Sequence, residues 1–86
     1  VEADTLYVRA IAIGEKSLGS DHPDVAVFHS NRALMLQNQG KHVEAEALYD
    51  RCQAIEEKVL GSEHPSLVAT LSNRALLLTS QVRVEL

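Results

Sequence analysis

The sequence predicts an all-α protein, with antiparallel helical hairpins stacked side by side as a fragment of an α-solenoid. Three observations predict it. The chain matches itself at an offset of 42 residues: Ser30-Asn31-Arg32-Ala33-Leu34 returns as Ser72-Asn73-Arg74-Ala75-Leu76, and Leu6-Tyr7, Glu15-Lys16 and His22-Pro23 return as Leu48-Tyr49, Glu57-Lys58 and His64-Pro65. About half of the aligned positions are identical, and an internal repeat of this length marks a stacked array. Apolar residues recur at helical 3-4 spacing, and no segment alternates as a strand would. Finally, Gly and Pro divide the chain at short links.

The first helix is expected over 1–18, with Ala3, Leu6, Tyr7, Ala10, Ile13 and Leu18 on one buried face. Gly14 weakens it by roughly 1 kcal/mol relative to Ala, and Gly19 suits a C-terminal stop. Pro23 fits the first turn of a second helix over 23–39, where Asp24 complements the positive end of the helix dipole. Gly40 ends that helix. A third, over 42–60, repeats the first through Ala45, Leu48, Tyr49, Cys52, Ile55 and Val59. A fourth is expected over 65–81. Val82 stands where the other copy has Gly40, so residues 82–86 form a tail that extends the helix or frays. Short connections make neighbouring helices antiparallel, and each hairpin completes its core only by stacking on the next.

Composition narrows the function. The chain has 86 residues, is 45% hydrophobic but only 3% aromatic, and carries a formal net charge of -4 with no basic cluster. Nucleic acid and anionic membrane surfaces both require a positive footprint, so neither is expected as a partner. No apolar run approaches the ~18 residues of a membrane span. Cys52 is the single cysteine, which fits a reducing, cytoplasmic setting. The chain opens on Val, within a repeat, and no leader is visible; it reads as a piece of a longer array.

The spacing Ala45-x3-Tyr49-x2-Cys52, with Ala33 twelve residues before Ala45, resembles the tetratricopeptide repeat. The 42-residue period is longer than that family's usual repeat. Together with Gly40-Lys41-x2-Glu44-Ala45-Glu46-x-Leu48-Tyr49 and Glu57-Lys58-Val59-Leu60-Gly61-x-Glu63-His64-Pro65, it resembles the kinesin-light-chain-like subclass, found in cargo adaptors and signalling proteins. The resemblance covers 1–81. It implies a right-handed stack in which residues 24–39 and 65–81 line a concave groove and residues 1–18 and 42–60 form the outer wall. The chain departs from the family at Arg32 and Arg74, where an apolar residue is usual, at His29, where a large apolar one is, and at Leu36 and Leu78, where tyrosine is common.

At ~100° per residue, Val27, Ser30, Asn31, Leu34 and Asn38 share one face of the second helix. Val25, Phe28, His29, Arg32 and Leu36 share the opposite, core face, with Ala33 and Met35 at its flanks. The fourth helix repeats this, with Ala69, Ser72, Asn73, Leu76 and Ser80 set against Leu67, Leu71, Arg74 and Leu78. The first face suits an extended peptide. An Asn amide both donates and accepts, so Asn31 and Asn73 can hold a backbone, while Leu34 and Leu76 contact its side chains. The alternative is that these amides are simply solvated or cap an inter-helix gap. Ser30 and Ser72 stand where a carboxylate clamp would need Lys, so an acidic C-terminal tail is not the expected ligand. Arg32 and Arg74 point towards the packing and need ion-pair partners, with their stems packed; for Arg32 the expected acids are Asp50 and Glu46, across the hairpin. The competing reading makes them an anion site in the groove.

No catalytic residues, metal ligands or cofactor are expected. His29, His42 and Cys52 lack ligand spacing, Cys52 fills a small buried slot, and His22 and His64 recur with the repeat as structural residues of the links. The chain reads as a protein-interaction scaffold and not an enzyme, binding a peptide or partner protein in its groove. The alternative is a structural module that forms a homo-oligomer through its end faces, or spaces other domains.

Overall fold

The computed structural model describes the backbone of residues 2–85 and the side chains of residues 3–79. Four helices follow one another: α1 (Glu2–Leu18), α2 (Pro23–Asn38), α3 (His42–Leu60) and α4 (Ser66–Glu85), with no strand among the described residues. α2 packs on α1 and α3, and α3 packs on α2 and α4. The helices lie side by side in a slab of 43 × 34 × 14 Å. Its radius of gyration of 13.0 Å exceeds the ~12 Å of a spherical domain of this size.

Local chemistry sets the helix ends. Gly40 has φ 81°, a backbone that a side chain resists. Its N–H donates to the Gln37 carbonyl and the Lys41 N–H to the Leu36 carbonyl, the paired bonds of a Schellman stop. At the other end of α2, the His22 imidazole accepts from the Asp24 N–H at 3.0 Å. His64 does the same for Ser66 at 3.1 Å. The recurring histidines are therefore N-terminal caps, which satisfy a backbone donor that the helix leaves orphaned. The fourth helix starts one residue later than expected and continues through Glu85; residue 86 of the expected tail lies outside the described residues.

The core lies between α2 and α3 and extends to α4. Ala33 and Leu36 of α2, Ala45, Leu48 and Tyr49 of α3, and Leu77 of α4 form one buried cluster, and Val25, Ala26, Cys52 and Ile55 form a second. Ala33, expected at a flank, sits at the centre of the first, because small residues at the contact set how closely two helices pack.

Burial departs from the expected pattern at both ends. On α1, Leu6, Ile13 and Leu18 are exposed, and the buried apolar residue is Ile11. On α4, Leu71 and Leu78 are exposed while Leu77 is buried. Periodicity identifies a face that can be buried, but burial needs a neighbour. Among the described residues α1 packs chiefly on α2 and α4 chiefly on α3, so these helices are covered on fewer sides than α2 and α3.

Candidate partner-binding groove

The two arginines decide what charge the face shared by α2 and α4 carries. Arg32 Nε donates to Asp4 Oδ1 at 2.6 Å. Arg74 donates to Gln53 at 2.7 Å and pairs with Glu46 at 3.2 Å and Asp50 at 2.7 Å. The expected pairing of Arg32 with Glu46 or Asp50 is thus corrected: those acids serve Arg74, and Arg32 takes the acid that corresponds to Glu46 one copy earlier. Each arginine reaches back to the preceding outer helix, because that is the side of α2 and α4 on which it emerges. Its guanidinium holds the Asp4 carboxyl below the usual carboxylate range. With both guanidinium groups committed to acids, neither is offered as an anion site.

The expected groove residues divide into two sets. Val27, Ser30 and Asn31 of α2 meet Ala69 of α4 across a cleft of about 200 Å³, which Ser66, Cys52, Glu56 and Thr70 also line. Asn31, Leu34 and Asn38 line a second cleft of about 350 Å³ with Tyr7, Met35 and Gln39. Val27, Leu34 and Leu76 are exposed apolar side chains. Ser72 is exposed and Asn73 half-buried on the same helix as Ala69, but Ser72, Asn73 and Leu76 line neither cleft. The Ser80 side chain lies outside the described residues.

The floor of the first cleft was not expected from sequence. Thr70 Oγ1 donates to Glu56 Oε1 at 2.6 Å, and Cys52 Sγ donates to the same oxygen at 3.5 Å. All three side chains are buried. Burial pushes the Cys52 thiol up to about 11, so it stays protonated and is no nucleophile at neutral pH. A signal for this cluster was present in the repeat. Ala10, Gly14 and Phe28 of one copy correspond to Cys52, Glu56 and Thr70 of the other. A Cβ on Gly14 would meet the Phe28 ring at 3.1 Å, so Gly14 makes room for the ring. In the second copy the ring is replaced by Thr, and Glu fills the volume with a hydrogen-bonded carboxyl.

His29, on the core side of α2, is buried, with no partner for Nδ1. Its pKa is lowered first by burial and then by the Arg51 charge; Glu15 acts in the opposite direction and Arg32 in the same one. Between that lowered value and the ordinary ~6.5, the unfolded chain binds more protons than the folded one. Stability is therefore lost as pH falls below about 6.5. Leu71 occupies the corresponding place on α4. His29→Leu is expected to raise stability by about 1 kcal/mol, by removing an unpaired buried polar atom, and to flatten the profile below about pH 6.5. Urea unfolding at several pH values checks both.

Among the described residues no cluster of His, Cys, Asp and Glu could hold a metal ion, and no helix is long and apolar enough to cross a membrane. Tetratricopeptide repeat models match residues 24–83 and, separately, residues 2–24. The chain belongs to the tetratricopeptide repeat family. Tetratricopeptide repeats generally mediate protein–protein interaction and are typically non-enzymatic scaffolds. In this tetratricopeptide chain, α2 and α4 carry the semi-polar face and α1 and α3 the acids that pair with their arginines. No curated protein matched the chain.

Proposed function

We propose that this chain is an interaction scaffold of the kinesin-light-chain-like, 42-residue subclass, which holds an extended segment of a partner protein along the face shared by α2 and α4. The observation that carries this reading is the position of Asn31. It is exposed and lines both clefts of that face, so one amide can donate and accept along a peptide backbone passing from one cleft to the other. Val27 and Leu34, exposed on either side of it, supply apolar contacts for alternate side chains. Asn73 repeats the amide on α4.

The chemistry also limits the ligand. Both arginines are engaged by acids, and the first cleft carries Glu56 in its floor. The bound segment is therefore neutral or basic where it crosses that cleft, not an acidic tail.

The test is a calorimetric titration with an extended peptide selected from a displayed library. Asn31→Ala together with Asn73→Ala is expected to weaken binding tenfold or more, because about 1.4 kcal/mol is a factor of ten and leaving peptide backbone groups unpaired costs about 1–3 kcal/mol. Unchanged affinity in the double variant overturns the role assigned to the amides.

A further inference from the structure

Within the cleft between α2 and α4, Glu56 is the residue that the repeat does not explain. Ser30 and Asn31 return in the second copy as Ser72 and Asn73, so they offer the same chemistry twice along a bound chain. Glu56 has no such counterpart, because Gly14 stands in its place. Its side chain is only 6% exposed, and no Lys, Arg or His pairs with it among the described residues. The Thr70 O–H and the Cys52 S–H both donate to Oε1, which occupies that oxygen's two lone pairs. Oε2 takes no hydrogen bond among the described residues. It is not sealed in either: the buried side-chain atoms left without a partner belong to His29 and His42, and Glu56 lines the cleft. A carboxylate withdrawn from water needs a counter-charge as well as hydrogen bonds. Here it has neutral donors on one oxygen only, and no Lys or Arg lines the cleft to complete it.

We infer, resting on the groove reading above, that this cleft is a socket for one lysine side chain of the bound segment, whose ammonium donates to Glu56 Oε2. Val27 of α2 and Ala69 of α4 line the same cleft and flank the lysine's methylene stem. Ser30 and Ser66 supply neutral acceptors for the remaining ammonium protons. The single free oxygen selects lysine over arginine. A guanidinium fork engages both oxygens of a carboxylate, and Oε1 is already taken, whereas an ammonium is a compact point charge that needs only one. The two kinds of residue then divide the work. The repeated amides hold the backbone of the partner, and the unrepeated carboxylate reads one of its side chains and fixes its register along the face.

Calorimetric titration with extended peptides selected from a displayed library tests this. The selected peptides should share a lysine at one position. Replacing it with norleucine, which keeps the stem and removes the charge, should weaken binding about tenfold or more, the effect of removing one partner of a withdrawn charge pair. Arginine at that position should also bind more weakly than lysine. Glu56→Gln, which keeps an acceptor for Thr70, should weaken the lysine peptide by as much, yet bind the norleucine peptide no less tightly than the wild-type chain does. Norleucine or arginine binding as tightly as lysine overturns the socket, as does an equal loss for both peptides on Glu56→Gln, which would mark a merely structural role. If Asn31→Ala with Asn73→Ala still weakens binding in that case, the groove reading stands and the socket alone falls. If the library yields no binding peptide, both fall. Should Glu56→Gln fail to fold by circular dichroism, the peptide substitutions on the unaltered chain decide the matter.

Discussion

Replacing Tyr49 with Ala is expected to destabilise the chain by about 3–5 kcal/mol, the range for removing a large buried aromatic. Tyr49 is fully buried, and it shares its cluster with Ala33 and Leu36 of α2 and Leu77 of α4. It thus joins the hairpin to the next helix as well as holding α3 to α2. Its hydroxyl donates to Gln37 Oε1 at 3.3 Å, so the polar tip is satisfied while the ring is packed. The melting temperature should fall by roughly 12–40 °C, at 4–8 °C per kcal/mol for a chain of this size. Tyr7 provides the internal control. It occupies the same place in the repeat but is only half-buried at the open end, so Tyr7→Ala should cost far less. Thermal melts of the two variants under identical conditions compare them directly. Equal losses would mean that repeat position, and not burial, sets the cost.

Gly40→Val is expected to cost roughly 2 kcal/mol and to change the connectivity of the hairpin. A Cβ at Gly40 meets nothing within 4 Å, so the penalty is purely conformational. It arises from holding a β-branched residue at a positive φ of 81°, where left-handed backbone costs about 1–2 kcal/mol for an ordinary L-residue and more for a branched one. The chain contains its own precedent. Val82 occupies the corresponding place after α4, and there the helix continues through Glu85. With Val at 40, α2 gains by running on into α3. That opens the hairpin and favours exchange of helices between copies, a low-cost route to dimers. Chemical unfolding gives the cost. Size-exclusion chromatography with light scattering, run beside the unsubstituted chain, should show a swapped dimer that the unsubstituted chain does not form. A stable monomer at wild-type stability would contradict this.

How far the sequence speaks can be followed through single residues. The hairpin layout was legible because its punctuation is local: Gly40 stops α2 and His22-Pro23 opens it, each by backbone chemistry that needs no distant partner. The arginine pairing was legible only in kind. A buried guanidinium needs an acid, but Asp50 is near Arg32 along the chain without lying on the side from which Arg32 emerges. α2 is flanked by two outer helices, and helical period alone does not say which of them a side chain meets. The Asp4–Arg32 and Glu46–Arg74 pairs show that the repeat itself held the answer, since each joins the same two places. Leu6 and Leu78 are exposed despite their apolar stripes for a related reason, because such a stripe marks a surface to be covered and not what covers it. The floor of the groove was missed because Glu56 and Thr70 look like ordinary helix-surface residues until they are compared with Gly14 and Phe28, which fill the same space with a ring.

The most direct test of the proposed function is to titrate the isotope-labelled chain with a library-selected extended peptide and follow its amide resonances. A partner held along the shared face of α2 and α4 should shift the backbone amides of Asn31, Leu34 and Ala69 and the side-chain amides of Asn31 and Asn73, leaving the outer surfaces of α1 and α3 unmoved. Shifts confined to α1, α3 or the open end face of α4, with the Asn31 side chain unchanged, would contradict it.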